Sequence, residues 1–106
     1  MTNYHREVRQ RSVDEAGRFP HPWVGVITFS NESERGQQLI ADFVENLWSR
    51  FQATKEVTAS QAFGARDVQL FVSAISEELV TEAIDEAIDR IEGGFKKRGE
   101  TLHKLN

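Results

Sequence analysis

The chain contains no cysteine, which removes disulfide staples, thiolate nucleophiles, iron–sulfur clusters and cysteine-based zinc sites together. A reducing compartment fits this composition, and a cytoplasmic location is expected. Long apolar runs are also missing. The N-terminal stretch MTNYHREVRQRSVDEAGRF has no core for a signal peptide, and no run is long enough to cross a bilayer, so no membrane partner is expected. Proline occurs only twice, at Pro20 and Pro22, and confines its backbone restraint to one short entry segment.

Positive charge is in deficit, with 13 Lys and Arg against 17 Asp and Glu and a net charge of −4. Generic affinity for a phosphate backbone needs clustered bases, so general nucleic-acid binding is not expected. The imbalance is uneven. Residues 1–21 hold four bases against three acids, residues 22–95 five against thirteen, and residues 96–106 four against one. An acidic body therefore lies between mildly basic ends.

What is present fits one small folded domain. The 106 residues are 39% hydrophobic and 28% charged, and the apolar residues fall in periodic blocks. Three regions follow: an N-terminal arm (1–21), an α+β domain (22–95) and a basic C-terminal tail (96–106). The arm has neither a clean helical period nor a long alternation. Tyr4, Val8 and Val13 are its only sizeable apolar groups, so it can lie across the body or add an edge strand but cannot form a core alone.

Trp23 to Phe29 is the strongest strand signal, rich in β-branched and aromatic residues and apolar on both alternating faces. Asn31 is the expected N-cap of the helix that follows, with Glu34 completing a capping box. That helix runs to about Phe51 and carries an apolar stripe of Leu39, Ile40, Phe43, Val44, Leu47, Trp48 and Phe51. Val57–Phe63 and Val68–Ile75 then read as a hairpin across Gly64-Ala65-Arg66-Asp67. Ser76 caps a second helix whose stripe is Leu79, Val80, Ala83, Ile84, Ala87, Ile88 and Ile91. Gly93-Gly94 reads as its C-cap, with Phe95, Leu102 and Leu105 hinting at more helix beyond.

The expected fold is α+β, in the order β-α-β-β-α. This is a ferredoxin-like, split βαβ sheet lacking its last strand, with two helices on one face. Three strands would leave two edges and a face uncovered, which the arm, the tail or a second subunit must cover.

No constellation supplies a catalytic, cofactor-binding or metal-ligating set. His5, His21 and His103 match no metal spacing, and His21 between two prolines lacks convergent partners. Arg66, Asp67, Glu77 and Glu78 read as turn and helix-start residues. The segment after the first strand, residues 30–36, has one glycine and two acids, which makes a poor phosphate cradle.

Partner-binding candidates are of two kinds. Glu78, Glu82, Asp85, Asp89 and Glu92 recur at alternating four and three residues, a ladder along one face of the second helix, with Glu77 and Glu86 widening it. Arg6, Arg9 and Arg11 in the arm, like Lys96-Lys97-Arg98 in the tail, are short basic clusters suited to pairing with the acidic body.

The leading functional expectation is a non-enzymatic interaction or regulatory domain, homodimeric through a sheet edge or the open sheet face. One alternative is a small dimeric enzyme or ligand-binder with His21 and Trp23 at a cavity mouth. Another is an acidic inhibitor or immunity-type protein that blocks a nucleic-acid-binding partner.

Overall fold

Trp23 to Phe29 is a strand because alternate residues can enter two different apolar layers, and the remaining elements assemble around it. A computed structural model describes residues 1–54 and 56–105. In chain order the elements are β1 (Thr2–Gln10), a short 3-10 turn (Val13–Glu15), β2 (Trp23–Ser30), α1 (Glu34–Gln52), β3 (Val57–Phe63), β4 (Asp67–Ala74), α2 (Glu77–Lys97) and β5 (Leu102–Lys104).

The strands form one five-stranded mixed sheet in the order β3-β4-β2-β1-β5. Neighbours are antiparallel except β5, which runs parallel to β1. The expected β-α-β-β-α order is present as β2-α1-β3-β4-α2, but the sheet has five strands where three were expected. The segment assigned to an arm supplies β1, which pairs with β2 along its whole length, Asn3 opposite Ser30 and Gln10 opposite Trp23. The tail supplies β5, whose Leu102 to Lys104 pair with Thr2 to Tyr4. The boundaries drawn at residues 21/22 and 95/96 therefore fall inside the sheet-and-helix architecture. Backbone pairing supplied what the weak side-chain pattern of these ends did not signal.

Both helices pack on the same sheet face. Tyr4 of β1, Ile27 and Phe29 of β2, and Val68, Leu70, Val72 and Ala74 of β4 share the main core with Ile40, Val44, Leu47 and Phe51 of α1 and Val80, Ile84, Ala87 and Ile91 of α2. The stripes read from the sequence match this core, except that Leu39 and Phe43 of α1 and Leu79 of α2 are half-buried at its border and Trp48 is half-buried without joining it. A second, smaller cluster of Phe19, Val24, Val26 and Phe71 lies on the opposite face.

Two helix boundaries differ from expectation. The N-cap of α1 is Ser33, whose Oγ accepts from the Gly36 N–H at 3.0 Å. Asn31 is buried and clamps the starts of β1 and α1 together. Its Nδ2 donates to Thr2 Oγ1 at 2.9 Å, and its Oδ1 accepts from the Ser33 N–H at 2.9 Å. Ser76 caps α2 as expected, accepting from the Leu79 N–H. That helix does not stop at Gly93-Gly94 but continues to Lys97. Phe95 is fully buried, and Gly94 faces Phe43, whose ring a Cβ there would meet at 2.4 Å. Gly94 alone of the pair thus gives closeness to α1, and Gly99, at φ +70°, follows the helix end with the left-handed turn.

Gly25 has a comparable packing role. A Cβ on it would lie 2.6 Å from Val80 Cγ1 and 2.8 Å from Ile84 Cγ1, so α2 rests directly on β2 backbone. Gly25→Ala should therefore cost roughly 1–3 kcal/mol by overpacking. Ile84→Ala should cost roughly 2–5 kcal/mol through lost burial and a cavity. Gly17→Ala, with nothing within 4 Å, should be neutral or stabilise by up to about 1 kcal/mol. Chemical denaturation of the three variants checks this ranking.

Candidate interaction surfaces

The hydrogen-bonding directions of the sheet follow from its register. Gly64 N–H donates to Asp67 O at 2.8 Å, and main-chain direction alternates along an antiparallel strand. Residues 58, 60 and 62 of β3 therefore bond to β4, while Val57, Ala59, Gln61 and Phe63 turn their N–H and C=O groups to the free edge. The edge is guarded at one point. Trp48 Nε1 and Gln52 Nε2 from α1 both donate to Ala59 O at 3.1 Å. Trp48 thus pairs a half-buried apolar body with a polar tip at the sheet edge.

Beyond this guard the edge is unprotected. Val57 to Phe63 (VTASQAF) contains neither a charge nor a proline, the residues that ordinarily blunt an edge. Phe63 is 56% exposed. Ser60 Oγ and Gln61 Oε1 are buried atoms without a hydrogen-bond partner among the described residues. The opposite edge has a different character. β5 covers only Thr2 to Tyr4 of β1, and the remaining stretch carries Arg6, Glu7 and Arg9.

The open face of the sheet is partly closed by the chain itself. Residues 11–22, between β1 and β2, fold over it as a flap whose only buried side chain is Phe19. The Phe19 ring lies 5.7 Å from that of Phe71, and the Arg18 guanidinium sits 4.4 Å above the Phe71 ring. Arg11 Nη1 donates to Phe19 O at 2.7 Å. Arg9 holds both carboxylate oxygens of Glu15, with Nη2 to Oε2 at 2.8 Å, and the Ser12 N–H also donates to Glu15.

The acidic ladder is real as geometry and partly neutralised as charge. Glu78, Glu82, Asp85, Asp89 and Glu92 are all exposed along α2. Asp85 is ion-paired with Arg6, and Glu86 lies 3.5 Å from Arg50 and 3.3 Å from Arg90. Tyr4 is close enough to the far end of the ladder to sense it. Its phenol is pushed above its ordinary value, first by burial and then by Glu92 and Asp89. The arm arginines serve the fold. Arg6 points to the helix face and meets Asp85, Arg9 points to the open face and meets Glu15 and Glu7, and Arg11 fastens the flap. The alternation of β1 divides Arg6 from Arg9.

The histidines do not converge. His5 is exposed on the open face of β1, His21 is in the flap, and His103 is in β5 opposite Asn3. Trp23 packs against the main core. Among the described residues no group of three or more His, Asp or Glu could hold a metal ion. Two adjoining depressions, of about 540 and 470 Å³, lie at the Asn31 corner and share Met1, Asn31 and Ser33. Arg35, Arg66 and Arg98 line them together with Glu32, Asp42 and Glu100, a mixed rather than single-sign wall. No helix of the described residues is long and apolar enough to cross a membrane. Compared with protein-family models, curated proteins and solved structures, the chain matches none.

The flap carries a pH prediction. Arg9, and then the Ser12 N–H, hold the Glu15 carboxyl down from 4.5 to about 2. A depressed carboxylate stabilises the fold above its unfolded value, and that stabilisation disappears as pH falls from about 4.5 towards about 2. Amide protection in residues 11–22 should decline over that window before protection in β2 and β4 does. Glu15→Gln should show the weakened flap already at neutral pH. Unchanged flap protection in Glu15→Gln would show that Phe19, Arg11 and Arg18 hold the segment without the Arg9–Glu15 pair.

Proposed function

We propose that this chain is a non-enzymatic protein-interaction or regulatory domain that acts as a homodimer, two copies pairing through the free edge of β3. The carrying observation is the contrast between its two edges: β1 beyond β5 is charged, whereas β3 has outward main-chain groups, no charge and an exposed Phe63. Unpaired N–H and C=O groups without gatekeepers favour strand addition. A second copy is the natural occupant, because antiparallel pairing of one strand with itself gives a closed two-fold interface.

The Trp48 and Gln52 guards select the register. With the axis at Ala62, Gln61 of each copy faces the partner's Phe63, and the two pairs exchange about four main-chain bonds. Ala59 O keeps its side-chain donors. Each Phe63 lies beside a shallow depression that it lines together with Ala41, Val68, Glu34, Gln37 and Gln38. On this reading β2-α1-β3-β4-α2 is a ferredoxin-like, split βαβ unit, with β1 bordering β2 in place of a final strand. The cysteine-free composition supports a cytoplasmic setting.

Light scattering at micromolar concentration tests the reading. The expected mass is twice the chain's 12.1 kDa. Phe63→Lys should weaken association by about tenfold or more, since a charge at a strand interface opposes pairing. Gln61→Pro removes an outward N–H along with the Gln61 side chain and should do the same while leaving the main-chain bonds of the β3–β4 ladder in place. A wild-type protein that stays monomeric at those concentrations overturns the proposal.

A further inference from the structure

A second surface has a different chemistry and does not rest on the dimer. Between the end of α1, the start of β3 and the first half of α2 lies a groove of about 380 Å³. Phe51, Val57, Leu79 and Ala83 form its apolar floor, and Glu56, Glu82 and Glu86 stand at its rim. Two features combine there.

The first is uncompensated charge. Glu86 is shared with Arg50 and Arg90, but Glu56 and Glu82 make no ion pair among the described residues. Nor do Glu77 and Glu78, which line the next depression together with Thr81 and Glu82. These four carboxylates make the local charge negative. Further along α2, Asp85 is neutralised by Arg6, whereas Asp89 and Glu92 likewise make no ion pair among the described residues, so it is the apolar floor that sets the groove apart.

The second feature is apolar surface among those charges. Ile75, in the turn that enters α2, is 68% exposed, and Val57 and Leu79 are only half-buried. Nucleic acid is repelled by such a rim, and a simple cation gains nothing from the apolar floor. A segment with apolar residues on one side and Lys or Arg on the other satisfies both, burying its apolar anchors between α1 and α2 and placing its bases against the glutamates.

We propose that this groove is the docking site for a cationic amphipathic segment of a partner protein. The acids supply steering and orientation, which salt screens, and the floor supplies the part of the affinity that salt does not remove.

The probe is a fluorescent peptide of about fourteen residues, four helical turns, with Leu and Lys arranged on opposite faces. A scrambled peptide of identical composition serves as control. By anisotropy the intact protein should bind the amphipathic peptide about tenfold more tightly than the scrambled one, and retain that preference at physiological salt. The double variant Glu56→Gln/Glu82→Gln should lose about tenfold in affinity. Asp89→Asn/Glu92→Gln, which removes the same number of charges from α2 outside the groove, should lose less than about threefold. Amide chemical shifts on titrating the wild-type protein should change at Val57 and at residues 79–83 ahead of the rest of α2. Equal binding of the two peptides, equal losses in the two double variants, or shift changes spread along the whole helix would each reduce the surface to general charge attraction and overturn the assignment.

Discussion

Strand β2 has to be covered on both faces and both edges at once, and the rest of the architecture follows from that requirement. Its alternation places Trp23, Gly25, Ile27 and Phe29 towards the helices and Val24 and Val26 towards the other side. One apolar face is the ordinary condition of a strand, and two demand a layer on each side. The helices provide the first layer, approaching closely because Gly25 has no side chain. The second layer is too small for an element of its own, so it is supplied by a flap that inserts one aromatic ring, Phe19, against Phe71. The edges are closed by β1 and β4, through ladders that run the full eight residues of β2 on either side.

Elements whose pattern is carried by their own side chains were legible in the sequence. β2, the stripes of α1 and α2, the β3–β4 hairpin and the Ser76 cap needed only local period and local chemistry. β1 was read only as an arm able either to lie across the body or to add an edge strand, for a specific reason: the residue that breaks its alternation, Arg6, points to the helix face and is compensated by Asp85, seventy-nine positions away. A charge on the inward side of a strand looks like evidence against a strand until its partner is known. β5 is three residues long, and its reason to exist is a parallel neighbour at the far end of the chain. The misassigned α1 cap has a similar cause. Asn31 and Ser33 are both good caps by type, and Thr2, whose hydroxyl draws the Asn31 side chain away, is remote in sequence.

The interaction surfaces divide along the same line. Ladder spacing was readable on α2, because helical geometry alone puts Glu78, Glu82, Asp85, Asp89 and Glu92 on one side. Which carboxylates remain uncompensated was not readable, because that depends on Arg6, Arg50 and Arg90 arriving from three places in the fold. Trp48 shows the same limit from the apolar side. Its position in the α1 stripe marks it as core, yet its indole N–H serves the edge of β3. The signal was available in its chemistry, since a Trp at the border of a stripe needs an acceptor for its N–H.

The internal ion pairs also bear on how the two proposed surfaces can coexist. Arg6, Arg9 and Arg11 are all spent inside the chain, so no basic patch of the arm is left to fold onto the acidic half of α2. That half keeps its charge for an outside ligand. Strand β3 touches both surfaces, with Val57 at the groove and Phe63 at the hairpin, and its centre is closed by the Trp48 and Gln52 bonds to Ala59. Pairing through Gln61 and Phe63 therefore leaves the Val57 end accessible. On the two proposals together, a β3-paired dimer carries two acidic grooves related by the same two-fold axis. A partner with two cationic segments joined by a linker of matching span would engage both, and its second contact would form at the high effective concentration set by that linker.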